Sequence, residues 1–151
     1  MQVNIEILGI PFAKQSFRYA AMVSKKTGKA FVAKYQPKKV TDGEKNIRAQ
    51  IIQQLPQGFI PFTGPVFVTW LEFVFPPVTS LKRADRDRIA QIGWTSKFTK
   101  PDLADNLMKG LFDAMAGIVY LNDSQICEMH NVRKVYGDTP KIKITLEGSN
   151  V

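Results

Sequence analysis

Cysteine and histidine each occur once in this 151-residue chain, as Cys127 and His130. A single thiol excludes an intrachain disulfide and a cysteine-built zinc site. It fits a reducing, cytoplasmic setting. A single histidine leaves little material for Ser-His-Asp chemistry, and no Gly-x-Ser-x-Gly elbow accompanies it. Placed mid-strand beside Glu128, His130 reads as structural rather than catalytic. Long apolar runs are also missing: Pro, Lys or Asp interrupts each one well before 18 residues, so no membrane span is expected. The opening "MQVNIEILGIPF" lacks a positive n-region and a small-residue cleavage site, so no signal peptide is expected either. Acid is scarce at the front of the chain, where Glu6 is the lone carboxylate of the first 40 residues.

Basic charge fills that acid-poor region. Lys14, Arg18, Lys25, Lys26, Lys29, Lys34, Lys38 and Lys39 put a net +7 there, out of +8 for the whole chain. Phe12, Phe17, Tyr19, Phe31 and Tyr35 interleave with these groups. Basic charge concentrated in this way attracts phosphate backbones through counterion release; a solvated lysine-rich surface is the blander reading. Lys14 and Arg18, flanking the loop after the first strand, are candidate phosphate contacts. Lys25, Lys26, Lys29 and Lys100 join them as a candidate DNA-binding set.

The remaining composition, 44% hydrophobic and 23% charged, is that of an ordinary globular domain. "VNIEILGI" alternates like a strand and ends at Gly9 and Pro11. "KKTGK" looks like a hairpin tip or mobile loop, with "AFVAKY" returning from it. "TDGEKNIRAQIIQQL" predicts a helix capped by Thr41 or Asp42, with Glu44 as the capping-box acid. "GPVFVTWLEFVF" predicts a long strand stopped by Pro76 and Pro77. Residues 78–101 read as a long connection, which in a compact domain is usually functional; Trp94 and Phe98 in it are either base-stacking groups or anchors. A second helix is expected from Leu103 to Ala116, closed by Gly117. "QICEMHNVRKVYG" and "KIKITLE" follow as strands joined at "GDTP". The expected fold is α+β: one domain over residues 1–151, a mixed sheet in β-α-β-α-β-β order, and two main helices packed on it.

"TKPDLADNLMKGLFDAMAGIVYLNDSQI" carries the chemistry. On a helical wheel at about 100° per residue, Asp102, Asp105, Asn106, Lys109 and Asp113 share an arc of roughly 100°. The other positions from 103 to 116 are Leu, Ala, Met, Gly or Phe. Such a stripe lines a cleft in a helix otherwise buried. Part of it has an ordinary explanation: Asp102 suits an N-cap, Asp105 favours the helix dipole, and Asp105–Lys109 is an i,i+4 pair. Asn106 and the downstream Asp123 are left over. Carboxylates gathered near a helix start suit a hard divalent cation such as Mg²⁺, which takes oxygen ligands and keeps several waters. Such an ion supports phosphodiester hydrolysis, and a nearby lysine adds positive charge at the phosphate. Asp113, about 12 Å from Asp105 along the helix, reads as support.

The same stretch, "KPDLADNLMKGLFDAM…GIVYLNDSQI", resembles the signature of the RusA family of Holliday-junction resolvases, approximately K-P-D-x-D-N-x-x-K-x-x-x-D-A-L followed by a D-D-x-Q turn. "GIPFAKQSFR", "YQPKKVTDGEKNIR", "TGPVFVTWLEFVFP" and "VRKVYGDTPKIKITL" are similar to other family segments, so the likeness covers most of the chain. It implies a small homodimeric, Mg²⁺-dependent endonuclease, with Mn²⁺ as a substitute ion, that acts on four-way branched DNA in recombination and repair and is often prophage-borne. Carried over by position, Asp102, Asp105 and Asp123 are the expected metal ligands, and Lys109 is the motif lysine that completes the catalytic set. Two departures stand out. "DLAD" separates its aspartates by two residues where the family has one, and Asn122 occupies a position where the family often has another aspartate. A branched-DNA-binding protein with impaired catalysis is therefore the alternative expectation.

Overall fold

The computed structural model describes residues 1–14, 18–35 and 37–151, leaving aside the side chains of Arg18 and Tyr19. The expected α+β architecture is present. A six-stranded mixed sheet carries the helices on one face, and a separate two-stranded hairpin follows the first strand.

Strand β1 (Gln2–Leu8) buries Val3, Ile5 and Ile7 and exposes its alternate residues, as period-2 patterning requires. Hairpin strands β2 (Arg18–Val23) and β3 (Ala30–Tyr35) pair only with each other, around the turn at 24–29. Helix α1 (Lys38–Gln54) begins at Pro37, one turn ahead of the expected Thr41–Asp42 cap. Pro37 presets the backbone for helix entry without needing an N–H partner, which outweighs the capping box. Val40, Ile47 and Ile51 form its buried stripe.

Strand β4 (Val66–Phe75) is the centre of the sheet. It runs antiparallel to β8 (Lys141–Gly148) and parallel to β6 (Ile126–Met129) and β7 (Val132–Gly137), and β5 (Trp94–Ser96) closes the order β1-β8-β4-β7-β5 with β6 beside β4. Asn131, at φ 52°, breaks β6 from β7, a left-handed position that asparagine tolerates. Cys127 is exposed on β6. The connection over 78–101 is more structured than expected: it holds helix α2 (Arg83–Ile92) and strand β5 (Trp94–Ser96). Only Ile89 of α2 is buried, so almost no apolar periodicity advertises the helix.

The core lies between the sheet and α1, α2 and α3 (Lys109–Met115), and includes Leu71, Phe73, Leu107, Leu111, Met115, Tyr120, Ile144 and Leu146. Each such side chain contributes about 1.5–3 kcal/mol on burial. On the opposite sheet face, the Arg133 guanidinium lies between the rings of Trp70 (4.9 Å) and Trp94 (4.2 Å) and binds the buried Glu72 carboxylate. Trp94 is thus an anchor, whereas Phe98 is 91% exposed. Among the described residues, no helix is long and apolar enough to cross a membrane.

Candidate active site

The expected helix from Leu103 to Ala116 is two pieces. Residues Leu103–Met108 form a π turn, entered from Asp102, and α3 continues from Lys109. The Leu107 N–H reaches the Asp102 carbonyl five residues back, at 3.1 Å, the defining bond of a π-helix, a form that clusters at functional sites. A turn of five residues takes up one more residue than an α turn. The extra residue in "DLAD" therefore lies inside a local widening, while Lys109–Met115 resume ordinary α geometry. The wheel drawn at α spacing fails across this turn. Asp105 and Lys109 form no ion pair among the described residues, since residue i+4 no longer stacks over residue i.

The segment after β1 straps across the helix start. Lys14 N–H donates to the Asn106 carbonyl at 3.2 Å, and the Asn106 side-chain amide donates to the Lys14 carbonyl at 3.1 Å. Asn106 Oδ1 also accepts from the Asp102 backbone N–H at 3.3 Å. Phe12 and Lys14 fit here because Gly43 on α1 and Gly110 on α3 carry no side chain: a Cβ at Gly43 would lie 2.5 Å from the Phe12 ring. Lys14 Nζ then donates to Asp113 at 2.8 Å and lies 3.4 Å from Glu44. Asp113 thus acts as support through Lys14.

Asp102, Asp105 and Asp123 are exposed, and their carboxylate oxygens carry no hydrogen bond or ion pair among the described residues. Lys109 is likewise exposed and unpaired there. Asp123 opens a short 3-10 turn (Asp123–Gln125), capped by Asn122, whose side chain accepts from Ser124 N–H. Gln125 closes the capping box and donates to the carbonyls of Phe62 and Gly64, both at 2.8 Å. Asn122 at this position is thus a structural cap. Asp123 and Asp113 both act on the buried Tyr120 phenol, whose pKa is driven upward chiefly by burial. Asp102 instead faces Lys134.

Family resemblance implies a divalent metal, and the donor type fits one: unpaired exposed carboxylates are what a hard cation with retained waters takes. Their arrangement is less complete. Among the described residues, no three His, Cys, Asp or Glu side chains are gathered to hold an ion, so the expected set Asp102, Asp105, Asp123 is not assembled as a ready cage.

Of the basic candidates, Lys14 is committed to two carboxylates. Lys25, Lys26, Lys29 and Lys100 are exposed. The Arg18 side chain and all of Phe17 lie outside the described residues. His130 is exposed and 3.0 Å from Glu128, apart from the helix start. Sequence reasoning passed over Lys97, Lys134 and Tyr136, which meet at Thr99. Lys97 Nζ donates to Thr99 Oγ1 (2.7 Å) and Tyr136 Oη (3.1 Å), and Lys134 Nζ to the carbonyls of Thr99 (2.6 Å) and Pro101 (2.7 Å). Burial and then the Lys97 charge lower the Lys134 pKa against the pull of Asp102. The available signal was the alternation of "VRKVYG", which puts Lys134 and Tyr136 on one face of β7.

Over 94 residues the chain is 30% identical to the uncharacterized protein YqaN of Bacillus subtilis (strain 168), an alignment covering 62% of this chain and 63% of that protein. The chain thus spans less than two thirds of that relative's length. Residues 11–147, from the strap through the helix start to the closing strand, match the family described as endodeoxyribonuclease RusA. With the match extending over nearly the whole chain, the chain belongs to the RusA endodeoxyribonuclease family.

Proposed function

We propose that this protein is a metal-dependent endonuclease that resolves four-way (Holliday) DNA junctions by phosphodiester hydrolysis, acting in the cytoplasm as a homodimer in recombination and repair, in a prophage setting. The observation that carries the reading is the family match over residues 11–147, joined to a helix start whose aspartates have no hydrogen-bond or ion-pair partner on their carboxylates among the described residues. Asp105, Asp102 and Asp123 are the proposed ligands of Mg²⁺, with Mn²⁺ as a substitute. The ion supplies an activated water and charge stabilisation at the phosphate. Lys109, which has no ion pair among the described residues, adds positive charge at the cleaved phosphate. Asn106 and the Lys14 strap hold the backbone on which Asp102 and Asp105 ride. The hairpin lysines supply phosphate contacts away from the acidic centre and Lys100, two residues before Asp102, supplies one beside it, so that a basic surface delivers DNA to carboxylates that tolerate it only with metal bound. A two-fold dimer presents two such centres to strands related by the junction's own symmetry.

The test compares nicking of a synthetic four-way junction, a flap and a linear duplex, with and without Mg²⁺. Junction cutting that needs metal, and that disappears in Asp105→Asn and Asp123→Asn while junction binding persists, is the expected result. Equal cutting by both variants and the parent would overturn the site assignment. One observation favours a second reading, a branched-DNA-binding protein without cleavage: no three metal-binding side chains are assembled among the described residues. Tight, salt-sensitive binding with no cutting at any Mg²⁺ or Mn²⁺ concentration would decide for it.

A further inference from the structure

Lys97 and Lys134 are an unusual pair. Each ammonium has three donors, and each spends two on uncharged acceptors, all within the 99–101 loop or on Tyr136. Neither has a carboxylate within ion-pair distance among the described residues, and one N–H on each is left over. The Lys97 ammonium also stands over the rings of Phe75 (5.2 Å) and Tyr136 (4.7 Å), a seat that fixes a cation without neutralising it. Both lysines are half-buried and held to the same residue, Thr99, so their positive charges repel across a short distance with restricted solvent screening. Two such charges are brought together at a cost that an anion would relieve. The pair adjoins the entry to the π turn, because Lys134 holds the Pro101 carbonyl immediately before Asp102.

We propose that Lys97 and Lys134 form a phosphate seat for the DNA backbone, placing one strand phosphate beside Asp102 and so setting the approach of the cleaved strand to the helix start. This rests on the branched-DNA reading above. Lys97, Lys134, Thr99 and Tyr136 bind and position the strand; the carboxylates do the chemistry. Lys97 directly follows β5 and Lys134 lies on β7, and Lys134 ties the 99–101 loop to that strand, so the seat is built on the sheet next to the acidic centre, unlike contacts from the hairpin tip.

The seat is tested on the full chain, in EDTA so that metal plays no part, by titrating a labelled synthetic four-way junction across about 50–200 mM KCl. Each lost phosphate contact flattens the slope of log K against log[salt] by about 0.9. The Lys97→Met/Lys134→Met variant, which keeps apolar stems of similar length, is expected to bind the junction about tenfold more weakly and with a slope shallower by one to two units. Lys97→Arg/Lys134→Arg is expected to recover most of the slope. Inorganic phosphate alone is expected to raise the Tm of the parent and not of the methionine variant. A purely structural role for the lysines predicts the opposite pattern, a lowered Tm with the parental slope, and that result overturns the inference. If the double variant fails to fold, Lys97→Met alone, whose ammonium touches only side chains, carries the same readings. A parent that binds no branched DNA removes both this inference and the function it rests on; a parent that binds, with unchanged slopes in the variants, removes this inference alone.

Discussion

The ammonium of Lys14 sits between Asp113 and Glu44, with 14% of the side chain exposed. Burial alone would lower its pKa, but the hydrogen bond and charge of Asp113, together with Glu44, more than offset this and hold it above the ordinary lysine value. A folded-state value above the unfolded one stabilises fully below the ordinary 10.5 and is lost as pH rises through the folded value. The buried Tyr120 phenol, raised by burial and by Asp123 and Asp113, acts in the same direction: its proton is retained in the fold above the ordinary 10.0, so alkali favours unfolding. Thermal stability is therefore expected to fall above about pH 10. Lys14→Met should cost about 1–3 kcal/mol at neutral pH and flatten that alkaline decline, as thermal melts across pH would show. Its charge is already matched, so the salt slope of DNA binding should not move. From sequence, Lys14 looks like a phosphate contact because it stands in a basic run; its partners come from residues 30 and 99 positions away, which no local pattern reveals. Asp123, by contrast, is legible as an unclaimed carboxylate because no capping or pairing rule absorbs it, whereas Asp105 has a dipole and pairing explanation and is singled out by the family motif.

At the scale of elements, the strands announced themselves. β1, β4 and β8 carry alternating or continuous β-branched and aromatic residues, and Pro or Gly marks their ends. Helix α2 did not, because "RADRDRIAQI" gives the core a single side chain, Ile89, and β5 is only three residues long. The π turn was also invisible: its residues have ordinary helical patterning, and only the count between Asp102 and Asp105 hinted at an accommodated insertion. That count now yields a prediction. Deleting Ala104, an exposed residue of the turn, should convert the five-residue turn to a four-residue one while leaving Lys109–Met115 in place. The shortened protein is expected to melt within a few degrees of the parent. Deleting Leu111, fully buried in α3, should unfold it. If the two deletions are equally damaging in a circular-dichroism melt, the turn is not absorbing an extra residue.

The whole molecule divides into a packed body and a basic arm. Among the described residues the β2–β3 hairpin pairs only with itself, and it leaves Met22, Val23, Phe31, Val32 and Tyr35 exposed. A lone two-stranded ribbon is marginal in water, so its shape is set by its turn and by whatever it touches. The charge asymmetry of the sequence is thus a spatial one, with Lys25, Lys26 and Lys29 at the tip. Replacing all three by Gln should flatten the salt dependence of junction binding by about two to three units, yet leave the melting temperature unchanged, since all three are exposed and, among the described residues, the tip is not part of the core. Filter binding and calorimetry on the same preparation would separate the two effects. The exposed Cys127 on β6, four residues beyond Asp123, has a practical consequence at this scale. As the chain's one thiol, it accepts a single maleimide dye without any cysteine being engineered away. Each copy of the chain then carries one fluorophore four residues from Asp123, a residue of the proposed cutting centre. Energy transfer between dyes would count protomers on a junction, and transfer to labelled DNA arms would follow their opening in real time.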